Sequence, residues 1–146
     1  MSGDKDKIKD LEANKAVVRR WIEEGLNQKQ VEVIEELAGP NYLLYWSPVP
    51  TPVDFPSYKQ LITSGLSAIP DFHIEIHALI AEGDCVTARM TQSGTHVGEF
   101  AGVPGTGKHI TQPAIAIYRI EDGKVAEEWA AERSWTDSLR ELAASS

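Results

Sequence analysis

The stretch Asp71-Phe72-His73-Ile74-Glu75-Ile76-His77 decides the fold. Phe72, Ile74 and Ile76 alternate with His73, Glu75 and His77, the period of a strand with one apolar face. Downstream the same period persists. Glu82-Gly83-Asp84 reads as a tight turn into residues 85–93, where Val86, Ala88 and Met90 share one face and Thr87, Arg89 and Thr91 the other. A Gly-rich connection from Gly94 to Lys108 leads to a predicted strand over residues 109–120. The hairpin signal Asp122-Gly123 then opens a last strand running to about Glu132, and residues 136–142 fit a short closing helix with Leu139 and Leu142 packed inward.

Upstream the period is helical. Ile8, Leu11, Val18, Trp21 and Ile22 recur at spacings near three and four, which predicts a helix over residues 7–26 ending near Asn27. A second short helix, residues 31–37, is expected to stop at Gly39-Pro40. Residues 41–46 read as a short strand. Alternating prolines then impose an extended loop from Ser47 to Pro52, and Ser57 is the expected cap of a third helix over residues 58–68. Helices first and strands after them define an α+β domain: N-terminal helices on a curved antiparallel sheet, a cone with one open end. Residues 1–146 are read as one such domain, with 1–6 and 143–146 expected to fray.

Composition narrows the function classes. With 14 Lys+Arg against 22 Asp+Glu, the net charge of −8 repels phosphate backbones and anionic lipid, so nucleic-acid and membrane partners are not expected. No apolar run reaches the ~20 residues of a membrane span, and the charged start MSGDKDKIKD lacks a secretory pattern, which points to the cytoplasm. Cys85 is the single cysteine and leaves no internal disulfide.

A cone of this kind encloses a cavity, and the residues available to line it are aromatic and amphipathic. Trp21, Tyr45, Trp46, Tyr58, Met90 and Trp129 are the expected substrate-binding set, joined by Tyr42 and Tyr118, and they suit a small apolar or aromatic ligand. Each of these residues taken alone reads as plain core, and only their convergence argues for a cavity lining.

The run Gly94-Thr95-His96-Val97-Gly98-Glu99-Phe100, followed by Gly102-Val103-Pro104, Thr106-Gly107 and Asp122-Gly123-Lys124-Val125-Ala126-Glu127-Glu128-Trp129, resembles the SnoaL-like polyketide cyclase family. That family shares the fold of nuclear transport factor 2 and ketosteroid isomerase. The resemblance implies ring-closing aldol chemistry by one acidic side chain, with no metal or cofactor. Glu128 matches the family's acidic residue and Gln112, sixteen positions earlier, its donor. In this chain the acid is Glu rather than Asp, and Ala114 stands where such cyclases carry His.

The residues themselves leave alternatives. Glu127 and Glu128 project to opposite faces of one strand, so one of them points inward. His73 and His77 share a strand face without further ligands at metal-site spacing, and His96 is expected to brace its loop. A non-catalytic carrier would use the same cavity; an epoxide hydrolase of the limonene type would need an Asp-Arg-Asp trio, for which Arg89 is the available arginine. A homodimer is expected through an apolar outer sheet face carrying Ile115 and Ile117.

Overall fold

In the computed structural model, which describes residues 2–47 and 49–145, the first helix is longer than its apolar pattern requires. Helix α1 spans Ser2–Arg20 and continues as a π-helical segment, Trp21–Asn27. Residues 2–6, expected to fray, are thus helical; Met1, Pro48 and Ser146 lie outside the described residues. Val18, Trp21 and Ile22 on the inner face are fully buried. Asn27 ends the segment where predicted, and its side chain ties the helix to the sheet by accepting from Ile74 N at 2.8 Å and donating to Ile74 O at 2.9 Å.

Helix α2, Val31–Leu37, packs Ile34 so closely on Gly25 that a Cβ there would lie 2.4 Å from Ile34 Cγ1. Gly39-Pro40 does not cap it. Those residues already belong to strand β1, Ala38–Trp46, where the missing side chain of Gly39 matters because a Cβ would sit 3.1 Å from Val125 O. The two-residue strand β2, Val53–Asp54, leads into α3, Phe55–Ala68. This helix starts earlier than predicted because Asp54, not Ser57, is its cap: Asp54 Oδ1 accepts from Ser57 N at 3.0 Å, and Pro56 occupies the first turn, where no amide is required.

Strands β3 (His73–Glu82), β4 (Cys85–Thr95), β5 (His109–Glu121) and β6 (Lys124–Glu132) form the predicted meander. The sheet order is β2-β1-β6-β5-β4-β3. The expectation of an antiparallel sheet needs one correction: β1 joins β6 in parallel, with Leu44 opposite Glu128 and Trp46 opposite Ala130. A hairpin would have forced the opposite direction; here α3 and the meander separate the two strands, which leaves a parallel pairing open. The sheet is therefore mixed and mostly antiparallel.

Strand β6 also carries a bulge between its Val125 and Glu127 pairings, so that consecutive residues Val125 and Ala126 are both buried. Helix α4, Trp135–Ala144, is capped by Ser134 and closes one end of the sheet, where Trp135 and Leu139 meet Ile69, Val103 and Ile110 in a second cluster. Among the described residues no helix is long and apolar enough to cross a membrane.

Candidate active site

The helices and the concave sheet face line a half-open cavity with about 150 Å³ of room. Its walls alternate as strands require: Met90 and Gln92 from β4, Ala114, Ala116 and Tyr118 from β5, Glu128, Ala130 and Glu132 from β6, and Leu44 and Trp46 from β1. Helix α3 roofs it with Tyr58, Ile62 and Leu66. The alanines make the room; larger residues at 114, 116 and 130 would fill it.

Glu128, not Glu127, faces this space. Its carboxyl is buried and accepts a hydrogen bond from Tyr42 Oη at 2.8 Å. Burial pushes it up from the ordinary 4.5 to about 7; the hydroxyls of Tyr42 and Tyr118 pull against that, while the neighbouring Glu132 adds to it. Glu127 instead lies on the outer face in an ion pair with Arg119 Nε at 2.7 Å.

The phenols around Glu128 are fixed by packing. Trp21 stacks on Tyr42 and Tyr58, with ring centroids 5.6 and 5.8 Å away, and its Nε1 donates to Tyr58 Oη at 3.2 Å. Because that oxygen is the acceptor, the Tyr58 hydroxyl hydrogen remains for a partner in the cavity. Burial, and the charge of Glu128, hold Tyr42, Tyr58 and Tyr118 well above the usual phenol value, so all three stay protonated donors at neutral pH.

Of the six aromatic and apolar residues expected to bind substrate, Trp46, Tyr58 and Met90 line the cavity. Trp21 does not: it is fully buried behind the two tyrosines, where it sets their positions. Tyr45 and Trp129 are on the opposite face of the sheet, stacked on one another with centroids 5.5 Å apart. Strand alternation carries them outward with Glu127.

Gln112 is also displaced from its expected role. Tyr118 is the β5 residue opposite Glu128, and Gln112 lies six residues further along that strand, about 20 Å away. Its Nε2 donates to Gln92 Oε1 at 3.2 Å and to Arg133 O at 3.0 Å, and its Oε1 accepts from Ser138 Oγ at 3.0 Å. The donors near Glu128 are phenols instead.

A residue missed by the sequence reading is Glu132. It lies four positions after Glu128 on the same strand, hence on the same face, which was the available signal. Burial raises its carboxyl pKa, against the pull of the Gln92 and Trp46 side chains; Trp46 Nε1 donates to Glu132 Oε1 at 2.9 Å.

The remaining candidates stay outside. Arg89 is exposed on the outer face, away from both buried acids, so no epoxide-hydrolase trio forms around it. His73 and His77 are exposed. His96 is fully buried and braces its loop, with Nδ1 3.1 Å from Thr106 Oγ1.

Comparison with known proteins places this geometry. The profile of SnoaL-like polyketide cyclases matches residues 16–137. The aklanonic acid methyl ester cyclase DauD of Streptomyces sp. strain C5 is 34% identical over 67 residues, covering 46% of this chain and 39% of DauD, so the match spans less than half of either protein. AclR of Streptomyces galilaeus, a suggested hydroxylase, superposes with a TM-score of 0.76 at 29% identity, covering 91% of this chain and 97% of AclR. A SnoaL-like protein of Jannaschia sp. CCS1 shares the fold with a TM-score of 0.82 at 20% identity, over 92% and 94% of the two chains.

Proposed function

Because the chain belongs to the SnoaL-like polyketide cyclase family, we propose that it is a single-domain enzyme closing a ring in an apolar polyketone, with Glu128 as the group that moves the proton. The observation that carries this reading is a buried carboxyl at the wall of an apolar cavity, hydrogen-bonded at 2.8 Å to Tyr42 and poised near neutrality at about 7. A carboxyl with that value is ionised in about half of the molecules at pH 7, so it serves as base and then as acid within one turnover.

In the proposed cycle the Glu128 carboxylate removes a proton from the carbon next to one carbonyl. The electron pair moves onto that carbonyl's oxygen, where the free hydroxyl hydrogen of Tyr58 stabilises the enolate. The enolate carbon then attacks a second carbonyl carbon of the same molecule; a C–C bond forms and the second oxygen becomes an alkoxide. Glu128 returns its proton to that alkoxide. Atoms and protons balance, and product and substrate are isomers. Trp46 and Met90 are the proposed contacts to the flat apolar skeleton.

We also propose that the protein works as a homodimer through its outer sheet face. There the Tyr45–Trp129 stack adjoins Ile115 and Ile117, which are 48% and 38% exposed, so that four apolar side chains share one outer face.

Aklanonic acid methyl ester, the compound in DauD's name, is the first substrate to offer. Wild type is expected to convert it to a product of unchanged mass, and Glu128→Gln to slow that conversion by about 10²- to 10⁴-fold. Unimpaired turnover by Glu128→Gln would remove Glu128 from the mechanism. Tight binding without conversion by wild type would favour a carrier.

A further inference from the structure

The cavity has a second polar pole that the proposed proton cycle does not use. Glu132 and Glu128 are four residues apart on β6, about 13 Å along the strand, and the wall between and around them is apolar: Ala130 on β6, Ala114 and Ala116 beside it on β5. At this pole the side chains are held in one orientation. Trp46 Nε1 donates to Glu132 Oε1 at 2.9 Å. Gln92 Oε1 accepts from Trp135 Nε1 at 2.7 Å and from Gln112 Nε2 at 3.2 Å.

Two donors on the carbonyl oxygen decide which way the Gln92 amide points, and they leave its NH₂ group for Glu132, whose carboxyl the Gln92 side chain draws down by hydrogen bonding. The pole therefore presents a carboxylate acceptor and an amide donor side by side. A hydroxyl group is the small function that satisfies both at once, donating its hydrogen to Glu132 and accepting from Gln92 Nε2. A methyl ether satisfies only the amide, and a bare ring neither. Gln112, with its own amide fully engaged, is a positioning residue for Gln92.

We propose that Glu132 and Gln92 form a hydroxyl-recognition site, so that the substrate is an elongated flat ketone bearing a hydroxyl at the end remote from the carbon that Glu128 deprotonates. This rests on the reading that the cavity is the substrate site. Glu132 and Gln92 then act as specificity-determining residues: they set which end of the skeleton enters first and hold it while the chemistry occurs at Glu128.

The test is a binding measurement that does not require turnover. Quenching of tryptophan fluorescence reports the affinities of 2-hydroxyanthraquinone and 2-methoxyanthraquinone for wild type, Glu132→Gln, Gln92→Leu and Glu128→Gln, each checked for an unchanged circular dichroism spectrum. Wild type is expected to prefer the hydroxyl probe by about tenfold or more, the effect of one charge-assisted hydrogen bond. The preference should fall to within about twofold in Gln92→Leu, fall part of the way in Glu132→Gln, whose amide oxygen still accepts but carries no charge, and persist in Glu128→Gln. Equal affinity of wild type for both probes, or a preference that survives undiminished in Glu132→Gln and Gln92→Leu, overturns the hydroxyl site while leaving the cavity reading intact. Failure of wild type to bind either probe overturns both.

Discussion

A Glu128→Gln substitution should remove a pH dependence of stability that reports the buried carboxyl directly, without any substrate. In the folded chain the Glu128 carboxyl sits at about 7, against an ordinary 4.5. Its pKa is raised on folding, so between those values the folded state binds more protons than the unfolded state, and stability falls as pH rises through that window. The loss is complete above pH 7. At about 1.4 kcal/mol per unit, the shift from 4.5 to about 7 corresponds to roughly 3 kcal/mol. Glutamine keeps an acceptor for the Tyr42 hydroxyl and never acquires the charge, so it escapes this penalty. Urea unfolding followed by tryptophan fluorescence at about pH 5 and about pH 8 measures the difference between variant and wild type at each. The variant should gain about 2–3 kcal/mol relative to wild type between the two conditions. An equal difference at both pH values would refute the claim that Glu128 is buried with a perturbed pKa.

Tyr42→Phe removes the 2.8 Å donor to Glu128 and should raise the Glu128 carboxyl by about 1–2 units, read by ¹³C NMR titration; an unchanged or lower value contradicts the hydrogen-bond argument. Trp21→Ala removes a fully buried indole that positions two tyrosines, and should lower unfolding free energy by about 3–5 kcal/mol in denaturant titration. Gly94→Ala should cost about 1–3 kcal/mol, because the new Cβ would lie 2.2 Å from Ile69 Cγ2 and 3.3 Å from the Phe72 backbone. Ile117→Lys on the outer face should halve the mass seen by light scattering with little change in melting temperature; a wild type already monomeric would dismiss the proposed dimer.

Much of this protein follows from residue order alone. The change of period at Phe72 separates helices from strands because a buried face must repeat every 3.6 residues in one and every 2 in the other. The Asp122-Gly123 turn aligns β5 with β6, with Glu121 opposite Lys124, and the same alternation joins Glu132 to Glu128 on one face. What residue order could not decide is which face looks inward. Counting by twos from the fully buried Val125 would turn Glu127 and Trp129 into the core; the bulge at Ala126 reverses that phase and turns Glu128 in. A bulge depends on how the strand is paired and packed, not on its own residues. The expected places of Tyr45, Trp129 and Gln112 fail for related reasons. The first two follow the reversed phase outward, and Gln112 is separated from Glu128 by hairpin register. The pKa of Glu128 is likewise a tertiary property, since the burial and the two phenols that set it come from β1, β5 and the helices above them.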